Sequence, residues 1–232
     1  MTTQIYNGNI LIPGGKWIKG GSVVIKDSTI AEIYSHSRVI ENIDKTVNAG
    51  GGYIMPGGID LHVHGGGGRD FMEASVDAFT TAINVHRRHG TTSMFPTISS
   101  ATGQNIRQAA QVCAWLMEDA ESGVLGLHLE GPYFVPSMAG GQIPENIRIP
   151  SPMEYIPIIE DFPCIKRWDA APELPGADDF ARYITEKGVI AGLAHTKANY
   201  NDIVHAYESG YTLATHFYNA MTTSHKNGIY KH

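Results

Sequence analysis

VIAGLAHTKANYNDIVHAYESGYTLATHF, residues 189–217, decides how the chain is read. VIAGLAH (189–195) is a short apolar run of strand character. NYNDIVHAYESG (199–210) has helical period and stops at Gly210, and TLATHF (212–217) is a second short run. Strand, helix and strand within about thirty residues make one βα crossover unit, which joins parallel strands. The first run finishes on His195, and the second carries His216 as its last polar residue. The stretch that points to a parallel sheet therefore also sets two imidazoles at strand ends.

The same alternation extends back to residue 54. GGIDLHV (57–63), TTSMFPT (91–97), VLGLHLE (124–130) and CIKRWDAA (164–171) read as further strands. SVDAFTTAINVHRRHG, with Val76, Phe79 and Ile83 on one face and Gly90 as a stop, NIRQAAQVCAWLMEDA, and ADDFARYITEKG, capped at Gly188, read as helices. About six βα units result, and the expected class is α/β, a partial (β/α)8 TIM-type barrel. Residues 54–232 fall short of the roughly 250 residues typical of a closed barrel, so the barrel is expected to be incomplete. Ahead of it, QIYNGNILI, a Pro-Gly-Gly turn and GGSVVIKDSTIAEIY read as short strands of a small β-sandwich segment, with Asp27 and Ser28 separating two runs. The expected boundary, near Gly50 to Tyr53, gives domains 1–53 and 54–232.

Composition narrows the partners. With 232 residues and a net charge of -6, the chain has no basic cluster longer than Arg87–Arg88, which argues against nucleic acid. Two cysteines, Cys113 and Cys164, stand far apart and in no CxxC pattern, which argues against a disulfide framework or a structural zinc site. No targeting segment or run of 18 apolar residues is present. A cytoplasmic protein acting on small molecules, with no membrane partner, is the expectation.

Chemistry gathers at the strand ends, where α/β barrels carry their active sites. His62 and His64, at i and i+2, project to one face of the first barrel strand and are followed by four glycines that would leave a loop open at the barrel mouth. Glu130 ends the third strand. Two imidazoles and one carboxylate from separate strands, Glu130, His195 and His216, form a ligand set of the kind that holds catalytic zinc or iron while leaving positions for water and substrate. His128, one layer deeper than Glu130, reads as a supporting or packing residue, and Asp60 as an inward polar residue at the barrel base. His86, His89 and His205 on helices, and His36 in the small sheet, read as solvated; His225 and His232 stay open. After Glu130, GPYFVPSMAGGQ is a glycine-rich loop in which Gly141 and Gln142 could meet a polar ligand. FYNAM after His216 offers Asn219 and the backbone of Ala220 to sugar hydroxyls or phosphate.

PGGIDLHVHG, GLHLEGPYF, LAHTKANY and ATHFYNAM together resemble the signature segments of the N-acetylglucosamine-6-phosphate deacetylases of the amidohydrolase superfamily, in order and spacing. HLEGP joined to THxxNAM is far more specific than HxH. The resemblance implies a metal-dependent hydrolase barrel that removes the N-acetyl group of N-acetylglucosamine 6-phosphate, giving glucosamine 6-phosphate and acetate in amino sugar catabolism. It implies Glu130, His195 and His216 as principal metal ligands, and His62 and His64 as ligands of a second metal position that only some members keep. The cofactor would be one or two divalent ions, zinc or iron, and substrate contacts would fall at Gly141, Gln142, Asn219 and Ala220. The family is typically a homodimer in which a basic residue of the neighbouring subunit helps to hold the phosphate, and TTSHKNGIYKH departs from the usual pattern there. The catalytic aspartate would lie beyond His232, so no catalytic acid–base residue is expected in this chain, and residues 1–232 alone are expected to be inactive. The rival readings are an amidohydrolase acting on an N-acyl amino acid or cyclic amide, which suits the histidines but not HLEGP or THFYNAM, and an inactive sugar-phosphate or metal-binding fragment.

Overall fold

A computed structural model of the chain describes residues 1–222 and the backbone of residues 226, 227, 230 and 231. His225 and His232 lie outside the described residues. The chain divides into two compact units, Met1–Gly57 and Gly58–His232.

The first unit is a five-stranded sheet. β1 (Thr2–Ile12) runs antiparallel to β2 (Lys16–Lys26), which pairs with β3 (Thr29–Tyr34), and β4 (Lys45–Asn48) and β5 (Tyr53–Ile54) pair parallel to β1 on its other edge. Asp27 and Ser28, both at positive φ, make the turn between β2 and β3. Ile10, Val23 and Val24 are its buried apolar side chains.

The second unit opens with β6 (Gly58–Val63) and a small hairpin of β7 (Gly65–Gly66) and β8 (Arg69–Asp70). Four helix-linked strands follow: α1 (Val76–Arg88), β9 (Thr91–Ile98), α2 (Gly103–Met117), β10 (Leu127–Glu130), α3 (Pro152–Asp161), β11 (Ile165–Ala170), α4 (Ala177–Glu186) and β12 (Ile190–Leu193). α5 (Tyr200–Glu208) and β13 (Tyr211–Ala214) complete it. β6, β9, β10, β11, β12 and β13 form one parallel sheet in that order, every strand beside its predecessor. A strand order that follows the chain without reversing, with crossovers of one hand as the rule for parallel sheets, lays all the helices on one face, as in a (β/α)8 barrel and unlike a doubly wound sheet. The structure thus carries the six expected strands of a TIM-type fold.

Helix starts follow local chemistry. Ser75 Oγ accepts the Ala78 amide at 3.2 Å, Thr102 Oγ1 the Asn105 amide at 3.2 Å, and Asn199 caps α5 in a reciprocal pair with Asp202. α3 was absent from the sequence reading because PMEYIPIIED carries two prolines. Pro152 occupies the first turn, where its missing N–H costs nothing, and Tyr155, Ile158 and Ile159 bury one face, which outweighs Pro157.

The four-glycine loop is the second departure. Instead of an open loop it is a tight hairpin, with Gly67 (φ +63°) and Gly68 (φ +79°) in the two-residue turn, a conformation that favours glycine at both positions. It packs on α1, where the His86 ring donates from Nε2 to the Gly65 carbonyl at 2.9 Å. His86 is therefore half-buried and structural, not a solvated residue.

Strand alternation sorts the side chains. Leu127 and Leu129 of β10 and Trp168 of β11 join the apolar layer beneath the helices, where Trp168 stacks on Tyr133 at 5.5 Å and meets Phe180 edge-on at 5.3 Å. His128, Glu130, Arg167 and Asp169 alternate with them and take the other face, all buried. The barrel interior is polar, and the site stands on that layer.

Candidate metal centre

Each candidate ligand leaves the carboxyl end of its own strand. His62 lies in β6 with His64 just beyond it, and Glu130 is the last residue of β10. His195 and His216 sit two residues past the ends of β12 and β13, slightly later than strand runs ending at 195 and 217 would put them. Both have positive φ, +47° and +31°, an uncommon conformation for a residue other than glycine and one that recurs where a functional side chain is aimed.

The five side chains converge. Glu130 Oε1 lies 2.8 Å from His216 Nε2, 3.3 Å from His195 Nε2 and 3.6 Å from His62 Nε2, and Oε2 lies 3.1 Å from His64 Nε2. The Nε2 atoms of His195 and His216 are 3.1 Å apart, and those of His62 and His64 3.0 Å. Two triads result, Glu130–His195–His216 and His62–His64–Glu130, each with donor atoms within 4.8 Å of one another.

The tautomers suit a cation. His195 Nδ1 donates to the Met138 carbonyl at 2.7 Å and His216 Nδ1 to the Asn219 carbonyl at 3.1 Å. With the proton held on Nδ1, Nε2 presents its lone pair inward, the arrangement of a metal-ligating histidine. Nitrogen lone pairs facing each other beside a carboxylate are repulsive unless they share a positive charge. These His and Glu groups could therefore hold a divalent metal ion.

Charge follows the same logic. Burial works to raise the Glu130 carboxyl, but the surrounding His195, His216, His62 and His64 rings, when they carry positive charge, outweigh it and hold the group far below the usual carboxylate range. The Glu130 carboxylate in turn pushes His64 and His216 up, against the opposing effect of burial.

The loop after β10 clamps the site. Phe134 stacks on the His195 ring at 4.4 Å, and the Val135 amide donates to the His195 carbonyl at 3.2 Å. Gln142 is buried, donating from Nε2 to Glu130 Oε2 at 2.9 Å and accepting the Ser100 amide on Oε1 at 2.6 Å. One donor and one acceptor of its amide, expected to face a ligand, thus go to Glu130 and Ser100. Gly141 is exposed, as is Asn219, whose backbone N–H donates to the His216 carbonyl at 2.8 Å, while Ala220 is half-buried and its carbonyl takes the Thr196 amide at 3.1 Å.

His128 lies 2.9 Å from Asp169 Oδ2, though not aligned for a hydrogen bond, and its Nδ1 meets Thr97 Oγ1 at 3.0 Å. Asp60 Oδ1 accepts the His62 amide at 3.1 Å. Met138, Phe134 and the buried pair Arg167–Asp169 were not singled out from sequence. The only signal for the pair was two charges at alternate positions of an apolar strand, RWDA.

Known proteins carry the same framework. The chain is 34% identical over 216 residues to N-acetylglucosamine-6-phosphate deacetylase of Bacillus subtilis, which covers 90% of this chain and 54% of that relative. The crystal structure of N-acetylglucosamine-6-phosphate deacetylase from Pasteurella multocida superposes with a TM-score of 0.88 at 28% identity, over 95% of this chain and 57% of that one. A mutant of the Mycobacterium smegmatis N-acetyl-D-glucosamine-6-phosphate deacetylase in complex with N-acetyl-D-glucosamine-6-phosphate gives 0.82 at 26% identity, over 96% and 56%. The chain spans about half the length of the curated relatives it matches, 53–54% for those with the highest coverage of it. With residues 53–231 matching the amidohydrolase family, and with a parallel sheet that gathers three histidine-bearing strand ends around one buried glutamate, the chain belongs to the amidohydrolase family.

Proposed function

We propose that this chain carries the metal-binding part of a deacetylase that hydrolyses the N-acetyl group of N-acetylglucosamine 6-phosphate to glucosamine 6-phosphate and acetate, a step of amino sugar catabolism. The observation that carries the reading is the convergence of four imidazole Nε2 atoms on the buried Glu130 carboxylate. The names of the relatives supply the substrate class.

Glu130, His195 and His216 would hold one divalent ion, zinc or iron, and His62 and His64 with Glu130 would offer a second position. When bound, such an ion supplies Lewis-acid polarisation of the acetamide carbonyl and acidification of water. The protein's part is positioning. The Met138 and Asn219 carbonyls hold the two ring tautomers, and Gln142 fixes the second oxygen of Glu130. Gly141, Gln142, the Asn219 side chain and the Ala220 backbone N–H would meet sugar hydroxyls or phosphate. Glu130 is the one carboxylate of the triads among the described residues, and it is held as an anion. Proton transfer to the departing amine needs another group, so residues 1–232 by themselves are expected to bind metal without turnover. The complete enzyme is read as a cytoplasmic homodimer. Among the described residues, no helix is long and apolar enough to cross a membrane.

The test is acetate release from N-acetylglucosamine 6-phosphate by the longest polypeptide that the reading frame encodes, loaded with zinc or iron. Hydrolysis of an N-acyl amino acid in place of the sugar phosphate would overturn the reading.

A further inference from the structure

Below the metal ligands, the barrel interior holds a charged cluster that the chemistry above does not use. Arg167 is 3% exposed, Asp169 0% and Thr215 2%. Burying a guanidinium is costly, and apolar residues of similar volume often serve stability as well, so its placement calls for a role. Arg167 commits four donor contacts. Nε reaches Asp169 Oδ1 at 3.0 Å and Nη2 reaches Asp169 Oδ2 at 3.1 Å, Nη2 also donates to Thr215 Oγ1 at 2.5 Å, and Nη1 to the Leu61 carbonyl at 2.8 Å. Thr215 Oγ1 donates onward to Asp169 Oδ2. The neighbouring strand is bare where the carboxylate sits: a Cβ on Gly192 would stand 2.2 Å from Asp169 Oδ1.

The anchors are not scattered. Leu61 immediately precedes His62, and Thr215 immediately precedes His216. Asp169 is in register with Glu130 across β10 and β11 and lies 2.9 Å from the His128 ring, two residues before Glu130. β9 and β10 separate β11 from β6 in the sheet, so the guanidinium crosses the interior to reach Leu61. One planar fork thus holds the residues next to candidate ligands at two strand ends, those of β6 and β13, and grips the carboxylate that lies beside His128 of β10, a geometry that an ammonium cannot reproduce.

We infer that Arg167, with Asp169 and Thr215, is a positioning cluster that sets the ligand-bearing strand ends relative to one another, so that metal affinity depends on residues that are not ligands. The inference rests on the reading of Glu130 and its histidines as a metal centre. It is tested on the whole chain by chelator competition for cobalt(II) and by the visible absorption of the bound cobalt, below the melting temperature of each variant. Thr215→Val keeps the volume and removes the hydroxyl, Thr215→Ser keeps the hydroxyl, and Arg167→Lys keeps the charge and removes the fork. Thr215→Val and Arg167→Lys are expected to weaken cobalt binding roughly tenfold to a hundredfold and to alter the visible band, while Thr215→Ser retains both. If Arg167→Lys does not fold, the Val and Ser pair decides. Unchanged affinity and spectrum in Thr215→Val, with cobalt bound normally by the unsubstituted chain, would overturn this inference alone. Failure of the unsubstituted chain to bind cobalt would overturn the metal reading and this inference with it.

Discussion

Lowering the pH should loosen the barrel unit, and Asp169 contributes a share of the loss that can be measured separately. It is fully buried, and three groups face it: the Arg167 guanidinium from its own strand, the His128 ring from β10 and the Thr215 hydroxyl beyond β13. Burial pushes its carboxyl up, but His128 and Arg167 outweigh that effect and hold it at about 2, against an ordinary 3.8. A folded-state value below the unfolded one means that the contribution is complete above about pH 5 and is lost as the pH falls through 4 toward 2. The difference is worth about 2 kcal/mol, of which roughly half is gone by pH 3. The assay is urea unfolding of the metal-free chain at pH 6 and pH 3, followed by tryptophan emission. Trp168 is buried whereas Trp17 and Trp115 are exposed, so the emission shift reports chiefly on the barrel unit. The control is Arg167→Met with Asp169→Asn. It removes both charges together and avoids the roughly 3–5 kcal/mol cost of stranding one of them. Burial also pushes the His128 ring down, against the pull of Asp169, and the same comparison in a His128→Gln background separates that ring's share. Between pH 6 and pH 3 the unsubstituted chain should lose about 1 kcal/mol more than the control. Parallel pH profiles would refute the account of Asp169 as an ionised clasp.

Three further outcomes are expected. Glu130→Gln should leave the circular dichroism spectrum intact and reduce bound metal, measured by mass spectrometry, to background; a stoichiometric ion in that variant would remove the proposed centre. Gly67→Val places a branched side chain at φ +63° with its Cβ 2.8 Å from Val85 Cγ2. It should destabilise the unit by about 1–2 kcal/mol from the backbone term alone, and an unaltered urea midpoint would contradict the hairpin. Trp168→Phe keeps an aromatic ring against Tyr133 but leaves the Gly131 carbonyl without its 2.8 Å indole donor, at a cost of about 1–3 kcal/mol by urea titration followed by circular dichroism. No loss there would mean that the carbonyl finds another partner.

The parallel sheet was legible because its strands are short apolar runs set between capped amphipathic helices, and parallel strands buried on both faces leave that trace. α3 was not, since its two prolines suppress a local signal that tertiary burial of Tyr155, Ile158 and Ile159 restores. The glycine hairpin is illegible for a related reason. Glycine permits both an open loop and a tight turn, and the choice lies with α1 and its His86, twenty-one residues away from Gly65.

The ligand candidates were legible because a strand end has a direction. Alternation fixes which face each side chain takes, so the last polar residue of a buried strand points where its neighbours point. A loop has no such rule, and Gln142 shows the consequence: nothing in its sequence position names Glu130 or the Ser100 amide, the two groups that its side chain bonds. Arg167 adds a third case, in which the face is legible and the partner is not. Its fork is explained only once β6 and β11 are placed on opposite sides of β9 and β10, because nothing local in RWDA names Leu61. The residues that touch the proposed ion are therefore readable one strand at a time, whereas those that hold the strands in place for it emerge only from topology. That division explains why the Arg167 cluster, carrying no ligand, has to be tested through the affinity of the residues it positions.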